Sequence, residues 1–306
     1  MNKELLREVA TYYEDVWLSR LENGASDGCV HYGLHIDGMS TKPKINTNRL
    51  IGNTLVREMG DGCEAHGLKH GTQSWRVLDL GCGVAGTMSF LRDHHPGFDL
   101  LGVCSSEKEM RVAQWLYRGY VPDVQVFDYH KAWQHFGQKP VTPRRLDAVY
   151  AIESLCQSWD RIAVLSNVWV ALKPGGVFLV LDAMLEGDVT DLALKTDPGE
   201  KSLRDLYEDV RAGFHVPDLY EVPLMEELVN AGFEVEQELD FTPNVAESIF
   251  DSAGRAIYRD GTNAIPLRKQ LHGLACVGMA ALLAAKKLRY TLTIARKPID
   301  ADTQAQ

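Results

Sequence analysis

The sequence, 306 residues long, has no apolar run long enough to cross a bilayer, no C-x-x-C spacing, and fewer basic than acidic side chains. Each shortage excludes something. A membrane helix needs ~20 consecutive, mostly apolar residues. The longest candidate, Leu271 to Leu283, is shorter and is followed by Lys286, Lys287 and Arg289, so it reads as a buried or partner-facing helix. The cysteines Cys29, Cys63, Cys82, Cys104, Cys156 and Cys276 are scattered, which signals neither a zinc site nor a disulfide framework and fits reduced thiols. No metal is expected. Lys+Arg 32 against Asp+Glu 42 leaves a net charge of −10, which repels phosphate backbones and argues against nucleic acid as a partner. The first twenty residues carry Lys3, Glu4, Arg7, Glu8, Glu14, Asp15 and Arg20, leaving no apolar stretch for a signal peptide. A cytoplasmic protein without a membrane partner is expected.

What is present is an average globular composition, 45% hydrophobic and 24% charged, in a length that suits two domains or one large α/β domain with insertions. Leu5, Leu6, Val9, Tyr12, Tyr13, Val16 and Trp17 recur at helical spacing and predict an amphipathic first helix. A polar stretch from Asn23 to Lys44 precedes a second helical pattern through Leu50, Ile51, Leu55, Val56 and Met59, and Asp61 to Ser74 reads as loop. From Trp75, apolar runs ending near Leu80, Val103, Phe127, Ala151 and Ala183 alternate with helical segments, the pattern of βα units on a parallel sheet. One such helix, from Arg161, sets Ile162, Leu165, Trp169 and Leu172 on a common face before Lys173-Pro174-Gly175-Gly176 stops it.

The last third alternates apolar and polar residues with period two around Phe233 to Phe241 and Leu288 to Ile294, which predicts two half-buried strands suited to a sheet edge. The expected organisation is an N-terminal helical cap (1–72), a core (73–183), a lid insertion with its following helix (184–232), and edge strands with a helical insertion at 242–287 (233–306). Phe214, Tyr220, Phe250, Tyr258, Leu271, Leu274 and Met279 would give the lids apolar area for a small, mostly apolar ligand. The first helix and Leu271–Leu283 offer faces for a homo-oligomer.

The strand Trp75 to Leu80 runs into Gly81-Cys82-Gly83-Val84-Ala85-Gly86. Glycines here let backbone approach a ligand in the turn after a first strand. The spacing also satisfies a dinucleotide fingerprint, but Asp79, just ahead of it, would repel a pyrophosphate and welcome an ammonium group. A nucleoside that bears an amino acid fits better.

Val77-Leu78-Asp79-Leu80-Gly81-Cys82-Gly83 resembles the first motif of the class I S-adenosylmethionine (SAM) methyltransferases, and Leu172-Lys-Pro-Gly-Gly-Val-Phe resembles their late motif before the fifth strand. The resemblance covers roughly Trp75 to Ala183. It implies a Rossmann-like seven-stranded sheet closed by a reversed hairpin, and SAM as cofactor. Carried over, Gly81, Cys82 and Gly83 lie against the methionine portion, Asp79 near its ammonium, and Asp128 and Tyr129 at the adenine. Ala151 falls at the fourth strand's end on the same side, and Tyr13 and Tyr32 would close over the cofactor as tyrosines do in this family. Cys104-Ser105-Ser106-Glu107-Lys108-Glu109 resembles a variant found in sterol, tocopherol and isoprenoid methyltransferases, which puts Ser106 and Glu109 at the ribose and departs from relatives with an acid at that strand end.

Tyr150-Ala151-Ile152-Glu153-Ser154-Leu155-Cys156-Gln157 resembles a segment of sterol C-methyltransferases and, more loosely, of geranyl diphosphate C-methyltransferases. Methylating an alkene or electron-rich ring leaves a cation that must be stabilised and deprotonated, work that Glu153 could do. Gln157 stands where sterol enzymes have a histidine. Val30-His31-Tyr32-Gly33 resembles the H-Y-G of the geranyl diphosphate enzymes and offers His31 as a second base or substrate contact. The segment around His215 and Tyr220, read as substrate-binding, lacks the groups that would hold a metal-bound diphosphate, so a neutral acceptor is expected. The expected function is SAM-dependent C-methylation of a small natural-product molecule, an isoprenoid alkene or an indole- or phenol-type ring. O- or N-methylation, and a SAM-fold cyclase that transfers no methyl, are the alternatives.

Overall fold

A computed structural model of the chain describes residues 7, 9–12, 14, 29–65, 74–117, 123–131, 146–193, 201–260 and 267–299. Seven strands form one sheet: β1 (Trp75–Leu80), β2 (Phe98–Cys104), β3 (Asp123–Val126), β4 (Leu146–Ile152), β5 (Leu172–Leu185), β6 (Glu234–Asp240) and β7 (Leu288–Arg296). Their order is β3-β2-β1-β4-β5-β7-β6. The first five run parallel, and β7 runs antiparallel to both its neighbours. The order reverses between β1 and β4, and at such a switch point an open α/β sheet leaves a crevice outside the carboxyl ends of its strands.

The inner strands are nearly continuous apolar runs because helices cover both faces. Val77, Leu78 and Leu80 of β1, Ala148 to Ala151 of β4 and Val177 to Leu181 of β5 are all fully buried. β7 departs from its expected place at an edge. It stands between β5 and β6, and the residues that read as its solvent side, Thr291 and Thr293, are fully buried. Threonine is β-branched with an apolar methyl, so it packs inside a sheet where period two alone suggests solvent. β6, with Glu234, Glu236 and Asp240 exposed, is the true edge.

Two helices differ in detail from their sequence patterns. In Arg161–Ala171 the buried face is Arg161, Val164, Leu165, Val168 and Ala171; Ile162 is 71% exposed, and Leu172 already begins β5. The phase follows from Arg161, which turns inward to pair with Asp218 at 2.8 Å and Glu227 at 2.6 Å. The helix Pro43–Ala65 buries Ile51, Leu55 and Met59 but exposes Val56, and it runs through the first part of the expected loop 61–74.

Three long helices, Leu203–Phe214, Thr242–Asp260 and Leu267–Ala284, form a cap. The first and last pack closely because each has a glycine at the crossing. A Cβ on Gly278 would come within 2.6 Å of the Leu206 carbonyl oxygen, and one on Gly213 would run into the Leu271 carbonyl. This accounts for the Leu271–Leu283 stretch, whose Ala275, Cys276, Met279 and Leu282 are buried within the chain. Before the first strand, residues 29–36 form a strap. Its Leu34 N–H donates to Thr47, its His35 N–H to the Asn244 carbonyl, and Ser248 donates to the Gly33 carbonyl at 2.7 Å. Leu34, Ile51 and Leu55 share one core with the sheet. Among the described residues no helix is long and apolar enough to cross a membrane.

Candidate active site

The crevice lies over the ends of β1, β2 and β4. After Leu80 the chain turns through Gly81 at φ +98° and Gly83 at φ +52°, and the N–H groups of Gly81 and Cys82 both donate to the Val103 carbonyl. A Cβ at Gly81 would fall on the Ser154 side chain, its Oγ 2.8 Å away. The glycine is thus required twice, by its left-handed backbone and by the close approach of the end of β4.

Asp79 lines this crevice and is almost fully buried. Its Oδ2 accepts a hydrogen bond from the Tyr150 hydroxyl at 2.8 Å, and among the described residues nothing bonds to Oδ1. Burial pushes its carboxyl up to about 7, against the stabilising bond from Tyr150 and the nearby His31. A buried carboxylate with one open oxygen at a glycine turn is a receptor for a cationic group, and the donor set therefore fits the amino-acid end of SAM.

Glu109, Asp128 and Tyr129 line the same crevice with Gly81, Cys82 and Gly83. Asp128 Oδ1 bonds the ring Nδ1 of His130 at 2.8 Å, and the His130 ring stacks on Trp159 with centroids 3.6 Å apart. Both rings line the crevice wall, and neither was singled out from sequence. Ser106 and Ala151 do not line it; the neighbouring Ser105 and Ile152 do. Ser106 instead caps the helix Glu107–Leu116, accepting from the N–H groups of Lys108 and Glu109, and donates to Glu14. Ala151 is buried inside β4. Tyr32 contributes its backbone rather than its ring to the site, as described next, and Tyr13 lies outside the described residues.

Glu153 follows β4 directly, at φ +48°. A non-glycine residue in this region is strained and persists where its surroundings fix it. Its N–H donates to the Leu181 carbonyl at 2.9 Å, and its Oε1 accepts from the Tyr32 N–H at 2.8 Å and from the Tyr290 hydroxyl at 2.7 Å. Among the described residues nothing bonds to Oε2. Burial raises the carboxyl above its ordinary value, opposed by His31 and the two donors and reinforced by Asp182. His31 lines the crevice beside both acids, but its ring nitrogens are engaged, Nδ1 with the Tyr32 carbonyl at 2.8 Å and Nε2 with Asn48 Oδ1 at 3.2 Å. Both partner oxygens accept, so a neutral ring donates to one of them at a time, and burial opposes its charging.

Neither residue expected at the substrate lines this crevice. Tyr220 is buried, its hydroxyl donating to Asp182 at 2.8 Å beneath the Arg161 guanidinium, and it does not line the crevice. His215 ends the helix Leu203–Phe214 at φ +54°, also away from the crevice lining, with its ring 5.3 Å from that of Tyr12. Of the expected lid surface, Phe250 and Leu274 face outward. Tyr12 instead donates to His272 Nδ1 at 2.8 Å or accepts from it, and Cys276 Sγ lies 3.7 Å from the other ring nitrogen. Among the described residues no group of three or more histidine, cysteine or acidic side chains could hold a metal ion.

A profile of the methyltransferase domain family matches residues 78–178. The chain is 30% identical over 177 residues to a sterol 24-C-methyltransferase of Clavispora lusitaniae, covering 55% of this chain and 42% of that one. It is 27% identical over 221 residues to an O-methyltransferase of Pyrenophora dematioidea, covering 69% of this chain and 74% of that one. It thus spans less than half the length of the sterol enzyme. Among solved structures, a geranyl diphosphate C-methyltransferase from Streptomyces coelicolor A3(2), in complex with Mg2+, geranyl diphosphate and S-adenosyl-L-homocysteine, shares the fold with a TM-score of 0.63 at 14% identity, covering 97% of this chain and 98% of that one.

Proposed function

This chain is a member of the class I SAM-dependent methyltransferases, and we propose that it methylates an electron-rich carbon of a small, mostly apolar acceptor, an isoprenoid alkene or an indole- or phenol-type ring. The observation that carries the reading is Glu153, a carboxylate at the end of β4 with Oε1 held by two donors and Oε2 open. Bound SAM supplies a sulfonium methyl group already activated for transfer. Asp79 would take the cofactor's ammonium, the Gly81–Gly83 turn its methionine portion, Glu109 its ribose, and Asp128 with Tyr129 its adenine.

The acceptor's π electrons would form the new C–CH3 bond as the cofactor's S–CH3 bond broke, which would leave the positive charge on the acceptor. Glu153 stabilises that charge, then takes a proton from the adjacent carbon through Oε2, and the C–H electrons restore the double bond. The buried setting strengthens both effects, because fewer waters compete for the carboxylate.

A second reading, O-methylation, is favoured by the Pyrenophora O-methyltransferase, which aligns with more of this chain than the sterol enzyme does. In that case Glu153 removes the proton of a hydroxyl group. Incubation with methyl-labelled SAM and a panel of isoprenoid alkenes, indoles and phenols tests both, with the position of the label in the product read by NMR. Label on carbon, lost in Glu153→Gln, supports the first reading; label on oxygen replaces it with the second. Undiminished carbon methylation by Glu153→Gln would sink the proposed role of the acid.

A further inference from the structure

Glu153 and Tyr290 are 137 residues apart in sequence, and a whole strand, β5, lies between theirs. The residue of β5 registered with Tyr290 is Ala183, whose small side chain leaves room for the phenol to reach towards the end of β4. The ring of Tyr290 is fully buried, and its hydroxyl donates 2.7 Å to the oxygen of Glu153 that the Tyr32 N–H also holds. Two donors on one carboxylate oxygen fix the plane of the group and leave the second oxygen as its reactive edge.

We infer that Tyr290 is a positioning residue for Glu153: it aims the open oxygen at the acceptor and favours the charged form of the half-buried carboxylate. The inference rests on the role of Glu153 proposed above. The same construction recurs in the crevice, where the Tyr150 hydroxyl holds one oxygen of Asp79 and leaves the other open. The groups around Glu153 divide in their effect. His31 and the Tyr290 and Tyr32 donors favour the charged form, whereas Asp182 opposes it. Cys156 and the Tyr32 phenol also lie within its electrostatic reach. With burial against it, the carboxylate depends on its donors, and a hydrogen bond to a charged acceptor is among the stronger ones.

The test is a pH titration of protein labelled with 13C at the glutamate carboxyl, the Glu153 signal being assigned by its loss in Glu153→Gln. It requires no acceptor. Tyr290→Phe should raise the Glu153 midpoint by about one pH unit, a tenfold change in proton affinity, while SAM affinity measured by calorimetry stays within about twofold. An unmoved midpoint overturns the inference. Should Tyr290→Phe fail to fold, 3-fluorotyrosine placed at position 290, a more acidic donor, should lower the midpoint, and no change there is equally fatal. The two ideas fail separately. An unmoved midpoint together with lost turnover in Glu153→Gln removes Tyr290 and keeps the acid. A shifted midpoint together with full turnover in Glu153→Gln removes the acid's role, and Tyr290's with it.

Discussion

Asp79 and Glu153 face the same crevice from the ends of β1 and β4, yet they are held by different kinds of structure. Asp79 takes its tyrosine from the adjacent strand β4 and sits ahead of a glycine turn that follows it directly in the chain. Glu153 takes its donors from the strap before the sheet and from β7 near the end of the chain, 121 and 137 residues away. The proposed cofactor pole is thus built within the parallel half of the sheet. The proposed acceptor pole is assembled from three remote segments, so that a change in any of them reaches the Glu153 carboxylate.

The largest expected effect is at the acceptor pole. Glu153→Gln should lower methyl transfer by about 10²–10⁴-fold and leave SAM affinity unchanged in calorimetry; loss of both together would erase the distinction between the poles. Next is the cofactor pole itself. Gly81→Ala meets the Ser154 side chain and a left-handed backbone, and SAM binding should weaken roughly hundredfold, about 3 kcal/mol. Binding within a few-fold of wild type would mean that the turn can move away.

A third, smaller effect comes from protons. Free Asp79 titrates at about 7, and an ammonium partner requires it ionised. Affinity for SAM should therefore be greatest above neutrality and fall by about tenfold per pH unit on acidification below it, until Asp79 protonates in the complex as well. A flat pH profile would place the ammonium elsewhere. The smallest functional effect belongs to Tyr220→Phe, which removes one of the donors to buried Asp182 outside the crevice. It should lower thermal stability by about 1–3 kcal/mol with SAM affinity unchanged, and a weakened affinity would bring Tyr220 back into the site.

The same contrast governs what could be read from residues alone. The sheet's parallel half was legible because each strand, turn and helix start carries its own signal, such as the apolar run before Gly81 or the acid ahead of it. Glu153 was legible as a residue type at a strand end. Its partners were not: Tyr290 looks like an ordinary apolar-phase residue of β7, and no local pattern links it to β4. Thr291 and Thr293 misled in the other direction, since a hydroxyl suggests solvent where the methyl is what packs. His31 has the chemistry of a base, and nothing in its own segment shows that Asn48, 17 residues on, bonds its ring. Tyr220 and His215 were drawn to the substrate by composition, whereas Arg161 and Asp182 hold the first as an internal strut.

The strap bears one more consequence. Its Tyr32 N–H is bonded to Glu153, while its neighbours Gly33 and His35 are stitched to Ser248 and Asn244 of the capping helix Thr242–Asp260. Any displacement of that helix that carries the strap with it withdraws a donor from the carboxylate. The proton affinity of Glu153 is therefore tied, through a single peptide N–H, to the packing of a helix that does not touch it.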